Sequence, residues 1–266
     1  MADSRLASAV VAGQGNFSPA AVEDKHTLVS LRDIRLTFGS HQALRGVDLD
    51  IKAGECLALL GDNAAGKSTL SKVISGTYIP DSGQIIVGGE QVSFTNPNDA
   101  RRRNIEMVFQ DLALCDHIDV VGNLFLGREL TKGPFLDQAA MLIRAQEMLD
   151  ALEIRIPRLT ARVEKLSGGQ RQAIAIARAA SFQPKVLIMD EPTSALAVAE
   201  VEAVLALINR VKAKGVGVVL ITHRLQDVFR VSDRIAVMYE GTKVAERLTA
   251  QTDLAEVVNL ITGAHR

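Results

Sequence analysis

Residues 55–69 read ECLALLGDNAAGKST. An apolar run of strand length empties into a loop of small residues that ends on a lysine and two hydroxyls, and a helix-like stretch continues to Ile74. Gly61, Gly66, Lys67 and Ser68 fit G-x-x-x-x-G-K-[ST] in the strand–loop–helix setting that a phosphate-binding loop needs. Phosphate oxygens need several backbone N–H groups pointing inward, and bulky side chains would block their approach. The start of the helix adds positive potential. Asp62, Asn63, Ala64, Ala65 and Thr69 complete the cradle, Lys67 reaches the β- and γ-phosphates, and Ser68 can coordinate Mg²⁺. The competing reading is a flexible small-residue turn.

The rest of the chain agrees with an α/β fold. KVLIMD (185–190) and GVGVVLIT (215–222) are apolar on both faces and are separated by a helical stretch at 198–212. Such runs predict a largely parallel sheet covered on both sides. Upstream, LVSLRDIRLTF (28–38), VDLDI (47–51) and QIIVGG (84–89) read as strands, and IEMVF (105–109) is a further apolar run. Between 120 and 165 the pattern turns helical. Leu124, Leu126, Met141, Leu142, Ala145, Met148, Leu149 and Leu152 recur at helical spacing with no strong strand between them, so a helical insertion is expected at about 112–170. DRIAVMYEGTKVAER (233–247) reads as strand, turn and strand, and DLAEVVNLITG (253–263) as a closing helix. Residues 1–26 lack periodicity and read as a disordered leader rather than a signal peptide, leaving one domain over 27–266.

Of the 266 residues, 47% are hydrophobic and 23% charged, which excludes wholesale disorder. A net charge of −1 argues against a dedicated nucleic-acid binder. Cys56 and Cys115 are the only cysteines and lack metal-ligand spacing, so they read as reduced thiols. No apolar run approaches the ~20 residues of a membrane helix.

A magnesium-bound triphosphate needs a second carboxylate at the end of a neighbouring strand. VLIMD supplies Asp190, and Glu191 follows, where an acid can polarise a water for in-line attack. The bland alternative is two surface acids ending a strand.

LSGGQRQAIAIARA (166–179) goes beyond a phosphate loop. LSGGQ before a small-residue helix resembles the signature segment of ABC-type ATPases. The resemblance implies an ABC ATPase fold: a P-loop core with a mixed, mainly parallel sheet, an N-terminal antiparallel β-subdomain and an inserted helical subdomain. It implies that Ser167, Gly168, Gly169 and Gln170 meet a nucleotide on an opposite subunit, so that two subunits share two ATP sites. Other motifs fall in the family's order. Phe38 stands where an aromatic stacks on adenine. Gln110 matches the loop glutamine that serves the γ-phosphate and Mg²⁺. His223, directly after VVLIT, matches the switch histidine. The resemblance runs over 28–241.

Within the family, GDNAAGKSTLSKVISGTYIPDSG (61–83), FQDLALCDHIDVVGNLFLGRE (109–129) and the ending LITGA resemble importers of ribose, xylose, galactose and fructose, in their single-copy form. The implied function is an ATP hydrolase at the cytoplasmic face of the inner membrane. It would couple ATP and Mg²⁺ to monosaccharide uptake through transmembrane permease subunits, fed by a sugar-binding protein and paired with a second ATPase subunit. Residues 112–128 are where such a subunit receives a permease; their apolar side chains equally suit the core of the insertion. A non-sugar solute, a weakly hydrolysing or regulatory subunit, and a soluble ATPase acting on nucleic acid are the alternatives. Two positions depart from the family pattern: Ala64 where importers usually have Gly, and Ala197 after EPTSAL, where the family has Asp. The second removes a carboxylate from a loop at the subunit interface and predicts slower or less coupled hydrolysis.

Overall fold

The computed structural model describes residues 26–263. In chain order, β1 (Thr27–Phe38), β2 (His41–Lys52) and β3 (Cys56–Leu60) lead into the glycine-rich loop and α1 (Lys67–Ile74). Next come β4 (Ser82–Val87), β5 (Glu90–Val92), α2 (Pro97–Arg102), β6 (Ile105–Val108), α3 (Val120–Phe125), β7 (Thr131–Lys132), β8 (Phe135–Leu136) and α4 (Gln138–Asp150). A 3₁₀ turn at Val163–Lys165 precedes α5 (Gly168–Ala180), β9 (Val186–Asp190), α6 (Val198–Ala213), β10 (Gly217–Ile221) and α7 (Leu225–Val231). The strands β11 (Arg234–Tyr239) and β12 (Thr242–Leu248) and the helix α8 (Leu254–Ile261) complete the fold.

The six-stranded sheet has the order β12-β11-β3-β10-β9-β6. Every pairing from β11 to β6 is parallel, and β12 joins the edge antiparallel. All residues of β3, β9 and β10 are buried, as expected of strands covered on both faces. A second sheet, β2-β1-β4-β5, is antiparallel throughout, the mixed architecture anticipated from the sequence. Its apolar face, with Leu31, Ile34, Val47 and Leu49, shares a core with Leu70, Val73 and Ile74 of α1. At the start of β11, Arg234 is buried and donates to Glu55 just before β3, to Glu246 of β12 and to the Asp50 carbonyl of β2.

The interval 112–170 holds α3, the short β7–β8 hairpin, α4, the 3₁₀ turn and the start of α5. The hairpin was not anticipated: two-residue strands carry no alternation to read. Val121, Leu124 and Phe125 are core residues, so in residues 112–128 they serve the insertion's own packing. Leu126 and Leu142, expected on the buried helical stripe, are instead 42% exposed. The elements β5, α2 and α7 were also unforeseen. The first two are short, although Asn96 before Pro97 is a legible start signal: the Asn96 side chain accepts from the Asn98 N–H. The leader expected over 1–26 lies outside the described residues except for His26. Both cysteines are free, and burial pushes the Cys56 thiol up to about 12, which makes it inert at neutral pH.

Candidate functional site

Parallel strands deliver everything that follows their C-terminal ends to one edge of the sheet, the usual place for a ligand in such folds. Leu59 of β3 and Asp190 of β9 both pair with Ile221 of β10, and Val108 of β6 pairs with Met189. The glycine loop, Gln110, the Asp190-Glu191 pair and His223 therefore leave four adjacent strands at the same edge. These residues are scattered over 160 positions of sequence.

The loop is shaped by close backbone approach. Gly61 has φ +149° and Gly66 φ +99°. A Cβ on Gly61 would lie 2.3 Å from the Met238 carbonyl oxygen, and one on Gly66 2.8 Å from that of Ala43. The β11–β12 turn clamps the loop from behind: Gly241 donates its N–H to Ala65 O at 3.1 Å. Lys67 Nζ donates to Gly61 O and Asp62 O, both at 2.9 Å. Burial, the largest influence, lowers the Lys67 pKa against the opposing pull of Glu191, Asp62 and Asp190. Ser68 is exposed at the first turn of α1. Ala64 is also exposed and has φ +63°, the left-handed conformation that costs an L-residue about 1–2 kcal/mol.

Asp190 is 9% exposed, and its pKa is raised, first by burial and then by the neighbouring Glu191 carboxylate, against Lys72 and Lys67. A buried acid beside a second acid is a donor set that suits a divalent cation, which relieves the repulsion. Among the described residues no group of three or more His, Cys, Asp or Glu could hold a metal by itself. A cation here would need the Ser68 hydroxyl, Gln110 and phosphate oxygens as well. Glu191 sits at φ +50°, a strained conformation for a non-glycine residue. Its Oε2 is buried and has no hydrogen-bond donor, although His223 Nδ1 approaches to 2.9 Å. The His223 ring is largely exposed.

Behind this pair lies a network that sequence reasoning missed. Thr193 Oγ1 donates to buried Asp227 at 2.7 Å, and Arg224 donates to the Thr193 carbonyl and pairs with Asp227. It joins the segment after Glu191 to the segment after His223. Thr193 was visible within EPTSAL, but nothing in sequence links it to position 227.

Phe38 is 45% exposed at the end of β1, and Tyr78 packs edge-on against it, with ring centroids 5.2 Å apart. Lys72 lies over the Tyr78 ring at 5.3 Å. Tyr78 was not singled out from the sequence; two aromatics that meet only in three dimensions leave no spacing signal. Gln110 is exposed just past β6. Arg178 of α5 donates to the carbonyls of Leu112 and Ala113, and both of these residues are left-handed.

Ser167 caps α5. Gln170 N–H donates to Ser167 Oγ at 3.3 Å, and Ser167 N–H donates to Gln170 Oε1 at 3.0 Å. Gly168 and Gly169 form the first turn. Ala197 caps α6 without a side-chain acceptor. No helix among the described residues is long and apolar enough to cross a membrane.

Residues 44–194 match the family described as ABC transporter. The chain is 46% identical over 235 residues to a xylose/arabinose import ATP-binding protein of Sulfolobus acidocaldarius, covering 88% of this chain and 94% of that protein. It is 41% identical over 245 residues to a fructose import ATP-binding protein of Rhizobium meliloti, covering 89% and 94%. A dimeric ATP-binding cassette bound to ADP and Pi in a post-hydrolysis state superposes with a TM-score of 0.70 at 26% identity, covering 84% of this chain and 99% of that one.

Proposed function

Because the chain belongs to the ABC transporter family, we propose that it is the ATP-hydrolysing subunit of a monosaccharide importer, driving a partner permease from the cytoplasmic side of the membrane. The observation that carries this reading is the convergence of the glycine loop, Gln110, Asp190, Glu191 and His223 on one sheet edge. The xylose/arabinose and fructose importers among its relatives support the substrate class. Their chains are of similar length to this one, and a related cassette is dimeric, which supports pairing of two copies of this chain.

In this reading Phe38, buttressed by Tyr78, stacks on the adenine. The amides of residues 61–69 cradle the phosphates, and Lys67 turns from its loop carbonyls to the β- and γ-oxygens. Ser68, Gln110 and Asp190 would hold a Mg²⁺ ion, whose bound charge offsets that of the phosphates. Glu191 offers its carboxylate to the attacking water, and His223, whose Nδ1 lies 2.9 Å from Oε2, positions the γ-phosphate beside it. Ser167, Gly168, Gly169 and Gln170 of the partner copy close the site. ATP draws the two copies together and hydrolysis lets them part, and that motion switches the permease. Residues 112–170 form the inserted subdomain, whose surface near Gln110 receives the permease.

The test is ATPase activity of the isolated chain, and of the chain reconstituted with the permease that co-purifies from membranes. Stimulation by the permease and by the sugar-loaded binding protein is expected. Retrieval without any membrane partner, with activity driven by nucleic acid, would overturn the reading.

Ala197 bears on how fast the subunit runs. An Asp there would accept from the N–H groups at the start of α6, a cap that contributes about 1 kcal/mol, or a Tm gain of about 2–4 °C for a chain of this size. It would also restore a carboxylate at the proposed subunit interface. A197D is expected to raise both the Tm and the ATPase rate, read by thermal unfolding and phosphate release. A higher Tm with an unchanged rate would confine Ala197 to stability.

A further inference from the structure

The start of α5 is already engaged by an anion of its own chain. Gly169 N–H donates to Glu200 Oε1 at 3.1 Å, and Ala197 N–H donates to Glu200 Oε2 at 3.2 Å. Glu200 thus bridges the first turns of α5 and α6. Gly169 makes this possible, because a Cβ at that position would lie 2.7 Å from Glu200 Cγ. The carboxylate is held below the usual glutamate range, first by a hydrogen bond from Ser167 and then by those from Gly169 and Ala197. With the Ser167 N–H and Gln170 N–H satisfied within the cap, Ser167 Oγ and Gly169 N–H are two donors this turn can offer outward; Glu200 takes the Gly169 N–H, and Ser167 also acts on its carboxylate.

Under the function proposed above, on which this inference rests, those donors serve the terminal phosphate of a nucleotide held by the partner copy. A carboxylate and a phosphate cannot share them: both are anions, and each donor hydrogen serves one strong acceptor. We propose that Glu200 is a stand-in anion that caps the signature turn in the separated chain and is displaced by the terminal phosphate when two copies close, so that it sets how much ATP pairing requires. Glu200 is a positioning residue here, acting through Ser167 and Gly169. It is only partly buried, so water solvates it once displaced and the exchange stays reversible. The start of α6 adds to the hold, because the Ala197 backbone N–H also donates to Glu200.

The experiment follows ATP-dependent pairing by light scattering in the E191Q background, which slows hydrolysis. The variants are E200Q, which keeps the side chain's length and packing against Gly169 but loses its charge, and E200D, whose shorter carboxylate draws back from Gly169. E200Q is expected to lower the ATP concentration for half-maximal pairing about tenfold, the scale of one charge-assisted hydrogen bond. E200D should shift it in the same direction by less. In the chain that retains Glu191, E200Q should lower KM more than it changes kcat. ATP affinity at chain concentrations too low for pairing should stay unchanged, because Glu200 does not touch the chain's own loop. If Glu200 is instead a rigid strut between α5 and α6, both variants lose Tm and pair less readily, and the proposal falls. If the E191Q chain pairs with ATP while E200Q leaves its ATP requirement unchanged, the proposal falls and the functional reading stands. If the E191Q chain never pairs, the functional reading fails and takes the proposal with it.

Discussion

Replacing Glu191 by Gln is expected to lower steady-state ATP turnover by about 10²–10⁴-fold, the range a positioned general base contributes. Gln keeps the volume and the left-handed backbone at φ +50°, so the substitution leaves the strained turn between Asp190 and Pro192 in place. What it removes is the buried Oε2, which has no donor of its own and stands 2.9 Å from His223 Nδ1. An amide nitrogen there offers hydrogens where an acceptor is needed, so a water can no longer be polarised. Nucleotide affinity should hold, because the loop amides, Lys67 and Ser68 lie on a different strand connection. Phosphate release and nucleotide titration on the same preparation separate the two effects. Full turnover by E191Q would remove Glu191 from its role, and lost affinity with lost turnover would recast it as a structural partner of the loop. With hydrolysis slowed, ATP should also hold two copies together, visible as a doubled mass in solution.

Much of this site was legible because its chemistry is carried by short segments. The strand–loop–helix around GDNAAGKST, the acid pair after VLIM and the histidine after VVLIT each declare themselves within about ten residues. Continuous apolar runs also announce a buried parallel strand, so the sheet that aligns these segments was within reach. What stayed hidden depends on contacts between distant segments. The Met238 carbonyl and the Gly241 N–H shape the glycine loop from about 175 residues away. Tyr78 supports Phe38, and Asp227 holds Thr193, through contacts that no periodicity encodes. Glu200 reads in sequence as one more acid in the first turn of a helix, where the helix dipole favours it anyway. Its contact with Gly169 emerges only once α5 and α6 lie side by side.

The two small residues of the loop should answer substitution in opposite ways. Sequence alone makes Ala64 look like the weak point, because Gly is usual there. Its φ of +63° does carry a left-handed cost of about 1–2 kcal/mol. Yet the residue is exposed, so no neighbour is displaced, and a Gly would forfeit about 0.4–1 kcal/mol through the freer unfolded chain. A64G is therefore expected to raise Tm by a few degrees at most and to leave ATP affinity little changed. Gly61 is the opposite case. Its φ of +149° lies outside the range an L-residue adopts readily, and a Cβ would sit 2.3 Å from the Met238 carbonyl and 2.9 Å from Ala65 Cβ. The first of these is backbone of a buried strand, paired on one side with β3 and on the other with β12, so it cannot yield as a side-chain tip would. The loop must move instead, breaking the Gly241–Ala65 hydrogen bond and turning its amides away from the phosphates. Overpacking of this kind costs about 1–3 kcal/mol, or roughly 2–12 °C in Tm for a chain of this size. The loss in ATP affinity should be larger, because several phosphate-facing amides move together. Calorimetric titration with ATP on folded G61A should find binding weakened by about 30- to 150-fold, the scale of two to three lost hydrogen bonds of about 1 kcal/mol each. A G61A chain that binds ATP as A64G does would mean that the loop's shape is not fixed by its contact with β11.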